Sequence, residues 1–409
     1  MLKEWKCDKN EPFSMASFLI KKAVFFAFLA FLILVLGGIG GVIFDRLLVP
    51  RLAVNKYFSD RDFFKKTADR VTVINKTEQI VIREDDTVEK IVSQPATAVV
   101  NIVALPTITK DAKGNVAALG AAAETVVTTT GVLLTNDGLV ATYSEASFDT
   151  AKTKYSILLF DGSIHEAIFV GRDTLTNLSF FRMVDASNTP AIAFANSDDA
   201  RVGRKLIAIG NTFAEYQNRL AVGLLGNINR IFNLSGKTVA SSEKWEGVFE
   251  MDLSRPEAFV GGPVIGYNGE MVGIVGTLRV DNVLQSFLIP SNVVRDSLNR
   301  VIAGTLEKRP LFGAYYLPIT KALALGRGLA RDRGALIYSR SGSTGLALIT
   351  DSPAMKAGLQ AGDIIISVNG VEVNLDNPLP KLLARFTIGD TVTLVILRAG
   401  EERSVEVKL

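Results

Sequence analysis

The two residue types with the widest chemical reach are nearly absent from this chain of 409 residues. It holds one histidine, His165, and one cysteine, Cys7. A single cysteine excludes an intrachain disulfide and a Cys-rich metal site, and a single histidine excludes a multi-His centre. No metal and no cofactor are expected. Any hydrolysis with an imidazole base must run through His165. That residue sits in Asp161-Gly162-Ser163-Ile164-His165-Glu166-Ala167, a turn followed by a strand-like run. A lone histidine in such a place reads as structural rather than catalytic.

The elements that could position a site follow from composition and patterning. Hydrophobic residues make up 48% of the chain and charged residues 21%, which excludes disorder as the main state. The net charge of +3 does not point to a nucleic-acid partner, and none is expected. The length suits about two to four domains. Residues 23–44, AVFFAFLAFLILVLGGIGGVIF, carry no charge. As a helix they reach about 33 Å, enough for a hydrocarbon core of about 30 Å. Lys21 and Lys22 precede the run, which favours an N-terminus inside and the bulk of the chain outside. A cleaved signal peptide is the alternative, but the run is longer than a usual h-region and no small-residue cleavage pattern closes it. An uncleaved transmembrane signal anchor over 23–44 is therefore expected, with residues 1–22 cytoplasmic.

Residues 45–94 read as a juxtamembrane linker or oligomerisation segment. Within it, 70–84 is β-rich, and a short helix is expected from Asp86 to Ser93 with Asp86 as its cap. From about 95 to 305, short apolar runs recur between turn signals such as Asn136-Asp137-Gly138 and Tyr267-Asn268-Gly269. Many short strands at this spacing over some two hundred residues suggest two small β-barrels. Residues 110–130, rich in Gly, Ala and Thr, are expected to be a long loop. Residues 309–409 form a separate unit. Asp351-Ser352-Pro353 opens a short helix, IIISV reads as a strand, and Asn369-Gly370 as a hairpin turn.

The stretch DSPAMKAGLQAGDIIISVNGVEV resembles the most specific motif of PDZ domains. Such domains bind an extended peptide by strand addition and hold its terminal carboxylate with backbone N–H groups. The resemblance implies that Leu311, Phe312, Gly313 and Ala314 are the peptide-binding loop. A β-rich domain behind one anchor and before a PDZ domain resembles the HtrA/Deg family of trypsin-like serine proteases. The resemblance covers roughly 95–409 and implies a mainly β fold: a two-barrel chymotrypsin-like domain, then PDZ, with an N-terminal transmembrane helix.

The resemblance also locates three catalytic positions. Gly138-Leu139-Val140-Ala141-Thr142-Tyr143-Ser144-Glu145 matches the family's His motif, with Glu145 in the His place. Thr176-Asn177-Leu178 matches its Asp motif, with Asn177 in the Asp place. Ala258-Phe259-Val260-Gly261-Gly262-Pro263 matches the nucleophile motif, with Val260 in the Ser place. Acyl transfer in this fold needs a hydroxyl, an imidazole and a carboxylate. All three are replaced, so a membrane-anchored pseudoprotease that captures peptide C-termini or unfolded proteins is expected. An active serine endopeptidase and a regulatory subunit of an active paralogue are the alternatives. Expected assembly is a homotrimer or a mixed assembly with such a paralogue, in the cytoplasmic membrane of a bacterial envelope.

Overall fold

The β-branched and aromatic runs of the middle region pair into two closed barrels. The structure, a computed structural model, describes residues 84–106, 127–144, 148, 153–211, 218–280, 283–339, 341 and 346–409, with isolated helical positions between 25 and 37. Glu145 and residues 70–83 lie outside the described residues, as does the continuity of the 23–44 span. Phe25, Phe26, Phe28, Ile33 and Leu36 are helical and exposed. Among the described residues no helix is long and apolar enough to cross a membrane.

Helix α1 spans Glu84–Ser93 and begins two residues before the expected cap, so Asp86 falls inside its first turn. The first barrel closes in the order β1-β2-β3-β6-β5-β4. Its strands are β1 (Val99–Pro106), β2 (Val127–Leu133), β3 (Leu139–Tyr143), β4 (Thr153–Leu158), β5 (Ile164–Asp173) and β6 (Leu178–Met183). β2 corrects the loop expected over 110–130. Val127 and Thr128 pair with Ala104 and Val103 of β1, so the last residues of that Thr-rich stretch are strand. Every residue of β3 is buried, and its end at Thr142 and Tyr143 packs against the second barrel.

The second barrel contains β7 (Lys205–Gly210), β8 (Arg219–Asn233), β10 (Glu246–Met251), β11 (Pro263–Gly266), β12 (Met271–Val280) and β13 (Val283–Pro290). Between β8 and β10 the chain forms a two-residue strand, β9 (Ala240–Ser241), which leaves the barrel. Tyr143 and Phe287 meet edge to face at 5.6 Å where the barrels touch. Helix α2 (Ser291–Ile302) then leads to the C-terminal sheet.

That sheet holds β14 (Tyr315–Pro318), β15 (Ala335–Ile337), β16 (Ile364–Val368), β17 (Val371–Glu372), β18 (Thr391–Arg398) and β19 (Glu401–Lys408). Its helices are α3 (Lys321–Arg327), α4 (Pro353–Lys356) and α5 (Leu379–Leu383). The strand order is β19-β18-β16-β15-β14-β9, so the edge next to β14 is completed by a piece of the preceding domain. Barrels and C-terminal sheet belong to one compact unit, Ile82–Leu409.

Candidate functional site

The loop that carries Val260 is packed from both sides. A 3-10 turn over Pro256–Ala258 leads into it, with the Ala258 N–H donating to the Arg255 carbonyl at 3.1 Å. Ala258 and Phe259 are buried in the second barrel's core, and Val260 is half-buried. Gly261 has φ +81°, and a Cβ there would lie 2.2 Å from the Thr130 carbonyl oxygen. The first barrel therefore tolerates only glycine at this point, whatever residue precedes it. Val260, Tyr143 and Ser144 line one cleft of about 630 Å³, with Phe148, Arg279 and Leu284 around it. Val260 offers this cleft only methyl groups.

Asn177 adopts a left-handed φ of +62° and is buried. Its carbonyl accepts from the Ser144 N–H at 3.3 Å, which brings it beside the strand end that precedes Glu145. Its side-chain Oδ1 accepts from Arg172 Nη2 at 3.0 Å and from Lys244 Nζ at 2.8 Å. Lys244 also donates to the Thr174 carbonyl at 2.7 Å. Burial, and then the positive charge of Arg172, push the Lys244 amine below its usual range. In a working triad the carboxylate orients an imidazole. Asn177 Oδ1 is instead held between two cations.

Among the described residues no serine is arranged as a nucleophile with a base. Ser163 Oγ lies 3.2 Å from His165 Nε2 and 2.7 Å from Asp161 Oδ1, so the three residue types of a triad do meet. Their order is wrong. The serine sits between the acid and the imidazole, on an exposed hairpin turn, and the carboxylate does not touch the imidazole in the way that orients a base. The Asp161 carboxyl is held below its usual range by Ser163. Ser254 is exposed at the edge of the Val260 loop.

The second candidate site is the loop before β14. Phe312 and Ala314 are buried in the C-terminal core, Leu311 is exposed, and Gly313 has φ +82°. The side chains of Phe312 and Ala314 are thus explained by packing, and it is the backbone of this loop that offers polar groups. The Phe312 and Gly313 N–H groups donate to Glu243 Oε1 at 3.1 and 2.8 Å, and the Ala314 N–H donates to Ser242 Oγ at 2.9 Å. Behind the loop, Ser352 caps α4 and its Oγ lies 3.4 Å from the Gly313 carbonyl oxygen.

Residues 124–274 match the trypsin-like peptidase domain and residues 331–409 match the PDZ domain. A "Probable periplasmic serine endoprotease DegP-like" of Bartonella henselae is 30% identical over 283 residues, covering 68% of this chain and 52% of that relative. A protein of the same description from Halomonas elongata is 29% identical, covering 68% of this chain and 55% of its own length. This chain spans about half the length of the curated relatives it matches. The HtrA-type protease AlgW with a tripeptide superposes with TM-score 0.59 at 21% identity, over 78% of this chain and 95% of that one. This chain holds an HtrA/DegP-like trypsin-type peptidase domain followed by one PDZ domain.

In this HtrA-like arrangement one short segment escaped sequence reasoning. Residues 240–246 carry no motif, yet Ser242 and Glu243 meet the PDZ loop, Lys244 meets Asn177, and Glu246 meets the PDZ strand β14. The partners are roughly 70 positions away in sequence, so no local signal could have found them. Glu246 is buried and accepts from the Tyr316 hydroxyl at 2.5 Å. Burial pushes its carboxyl up to about 8 from an ordinary 4.5. The folded state thus keeps a proton that the unfolded chain releases. Stability from this group is complete below about 4.5 and is lost as pH rises through about 8. Unfolding midpoints in urea are expected to fall from pH 5 to pH 8.5. Glu246→Gln, which keeps the hydrogen bond without the titration, should flatten that slope; an unchanged slope would exclude Glu246 as its source.

Proposed function

We propose that this HtrA-like chain binds extended peptide termini and does not cut them. Glu145, Asn177 and Val260 occupy the three triad positions, and Leu311, Phe312, Gly313 and Ala314 form the peptide-binding loop. Residues 23–44 hold it to the cytoplasmic membrane, with 45–94 as a linker, a pseudoprotease domain over 95–305 and the PDZ domain over 309–409 outside. A homotrimer, or a mixed assembly with an active paralogue, fits the family. The observation that carries this reading is Val260, whose side chain has no atom able to form an acyl-enzyme bond. Two further facts support it. The Ala258 N–H, a natural oxyanion donor, is committed to Arg255, and Asn177 Oδ1 is committed to Lys244 and Arg172.

The competing reading, an active serine endopeptidase in envelope protein quality control, is favoured by the names its relatives carry. The two separate cleanly. Unfolded casein incubated with the purified chain is expected to stay intact. Intact-mass spectrometry after treatment with a serine-reactive phosphonate should show no adduct. Robust cleavage that disappears in Ser254→Ala would favour the endopeptidase and remove the pseudoprotease reading.

A further inference from the structure

A PDZ groove recognises a ligand by three physical features: an antiparallel strand added to its edge, a chain direction that runs toward the loop, and a carboxylate in the loop's N–H cradle. All three are already supplied by this chain. Ala240 and Ser241 pair antiparallel with Tyr316 and Tyr315 of β14. The segment then runs toward the loop, with the Ser242 N–H donating to the Ala314 carbonyl at 2.9 Å. At its end stands the Glu243 carboxylate. Its Oε1 accepts from Phe312 N–H, Gly313 N–H and Ser242 Oγ at 3.1, 2.8 and 2.7 Å.

The segment is also shaped for this role from behind. Buried Asn233 donates to the Ser241 and Lys244 carbonyls at 3.2 and 3.0 Å and accepts from the Ser241 N–H at 3.3 Å. Both ends of the amide are used to hold one bend, which presents Ser242 and Glu243 to the loop. Beside the Glu243 carboxylate a cavity of about 160 Å³ remains, walled by Leu311, Phe312, Pro380 and Leu383. That is the scale of a single benzene-sized apolar group.

We infer that the segment Ala240 to Glu243 is an internal ligand of the PDZ groove, and that a peptide with a free C-terminal carboxylate binds by displacing it. The inference rests on the reading of Leu311 to Ala314 as the peptide-binding loop. Binding is then weakened by the fraction of molecules whose groove is open. Charge-assisted hydrogen bonds of the kind Glu243 makes suggest that its removal raises apparent affinity about 10–100-fold.

The test uses the full chain in detergent and a fluorescein-labelled peptide pool with random apolar C-terminal tripeptides and a free carboxylate. The same pool with C-terminal amides is the control. Fluorescence anisotropy should give binding about 10–100-fold tighter in Glu243→Ala than in the parent chain, with the amidated pool bound by neither. Peptide addition to the parent chain should also speed hydrogen exchange of residues 240–243, as the segment leaves the edge. Exchange elsewhere reports that the variant is folded. Equal, carboxylate-dependent affinity in parent and variant would overturn the internal ligand and leave the groove as the peptide site. Absence of binding by a folded Glu243→Ala chain would overturn the groove reading and this inference with it.

Discussion

Asp173→Ala is expected to destabilise this protein by about 3–5 kcal/mol, the usual cost of stranding one partner of a buried ion pair. Asp173 is fully buried at the end of β5. Arg309, whose side chain is 11% exposed, reaches it with two hydrogen bonds of 2.6 and 2.5 Å. The Ser297 hydroxyl from α2 and the Leu175 N–H complete its shell at 2.6 and 3.0 Å. Loss of the carboxylate leaves a guanidinium, a hydroxyl and an amide without their acceptor in a largely buried site, and each carries a desolvation cost. Arg309 lies on the link between the last protease-like element and β14, so the damage extends to how the two domains are held. The thermal midpoint should fall by about 10 °C for a transition of this size. Arg309→Met should cost less, because it strands a carboxylate that keeps two neutral donors. The double variant should be milder than the sum of the two. A midpoint within a degree of the parent would show that the pair contributes nothing net.

Gly313→Ala is the second large effect. With φ at +82° the backbone is in the left-handed region, which costs an alanine about 1–2 kcal/mol. The added Cβ would also lie 2.3 Å from the Ser352 Cβ and 2.7 Å from its Oγ. Ser352 cannot yield freely, since its Oγ accepts the Met355 N–H that starts α4. Overpacking of this kind adds about 1–3 kcal/mol. The combined destabilisation of the PDZ fold should be near 3 kcal/mol, read by urea unfolding. Because the Phe312 and Gly313 amides rotate with the loop, peptide affinity should fall at least ~10-fold in the Glu243→Ala background, where the groove is open. Ser352→Gly should restore part of the stability by making room. Full peptide affinity in Gly313→Ala would move the carboxylate cradle away from this loop.

How much of this was legible in the sequence depended on the range of the cause. The Gly261-Gly262-Pro263 run could be read only through its resemblance to a family motif, because its cause is long-range: the backbone passes so close to the Thr130 and Ile209 carbonyl oxygens that no side chain fits. The run persists beside Val260 for that packing reason, independent of chemistry. The IIISV strand and the short helix after Ser352 were readable from local causes, a β-branched apolar run and capping. The strand at Val127 to Thr130 was not. Its composition suggests a loop, and only pairing with β1 makes it a strand.

By itself the sequence determined the absences and the architecture. One histidine placed at 165, and a valine before Gly-Gly-Pro, limit the available chemistry before any coordinate is known, because a missing atom type cannot be supplied by folding. Short apolar runs and turn residues were enough for two barrels and a separate C-terminal unit, and the PDZ reading of that unit came from resemblance to the family's motif. What only the tertiary structure decided is which groups these positions touch. Asn177 is clamped by Arg172 and Lys244, and the PDZ loop is filled by Glu243. Arg172 lies only five residues from Asn177, whereas the Lys244 and Glu243 contacts join residues far apart in sequence. Hydrogen-bond partners at that distance are set by how β9 leaves its barrel and reaches the neighbouring sheet, and no local propensity encodes that path.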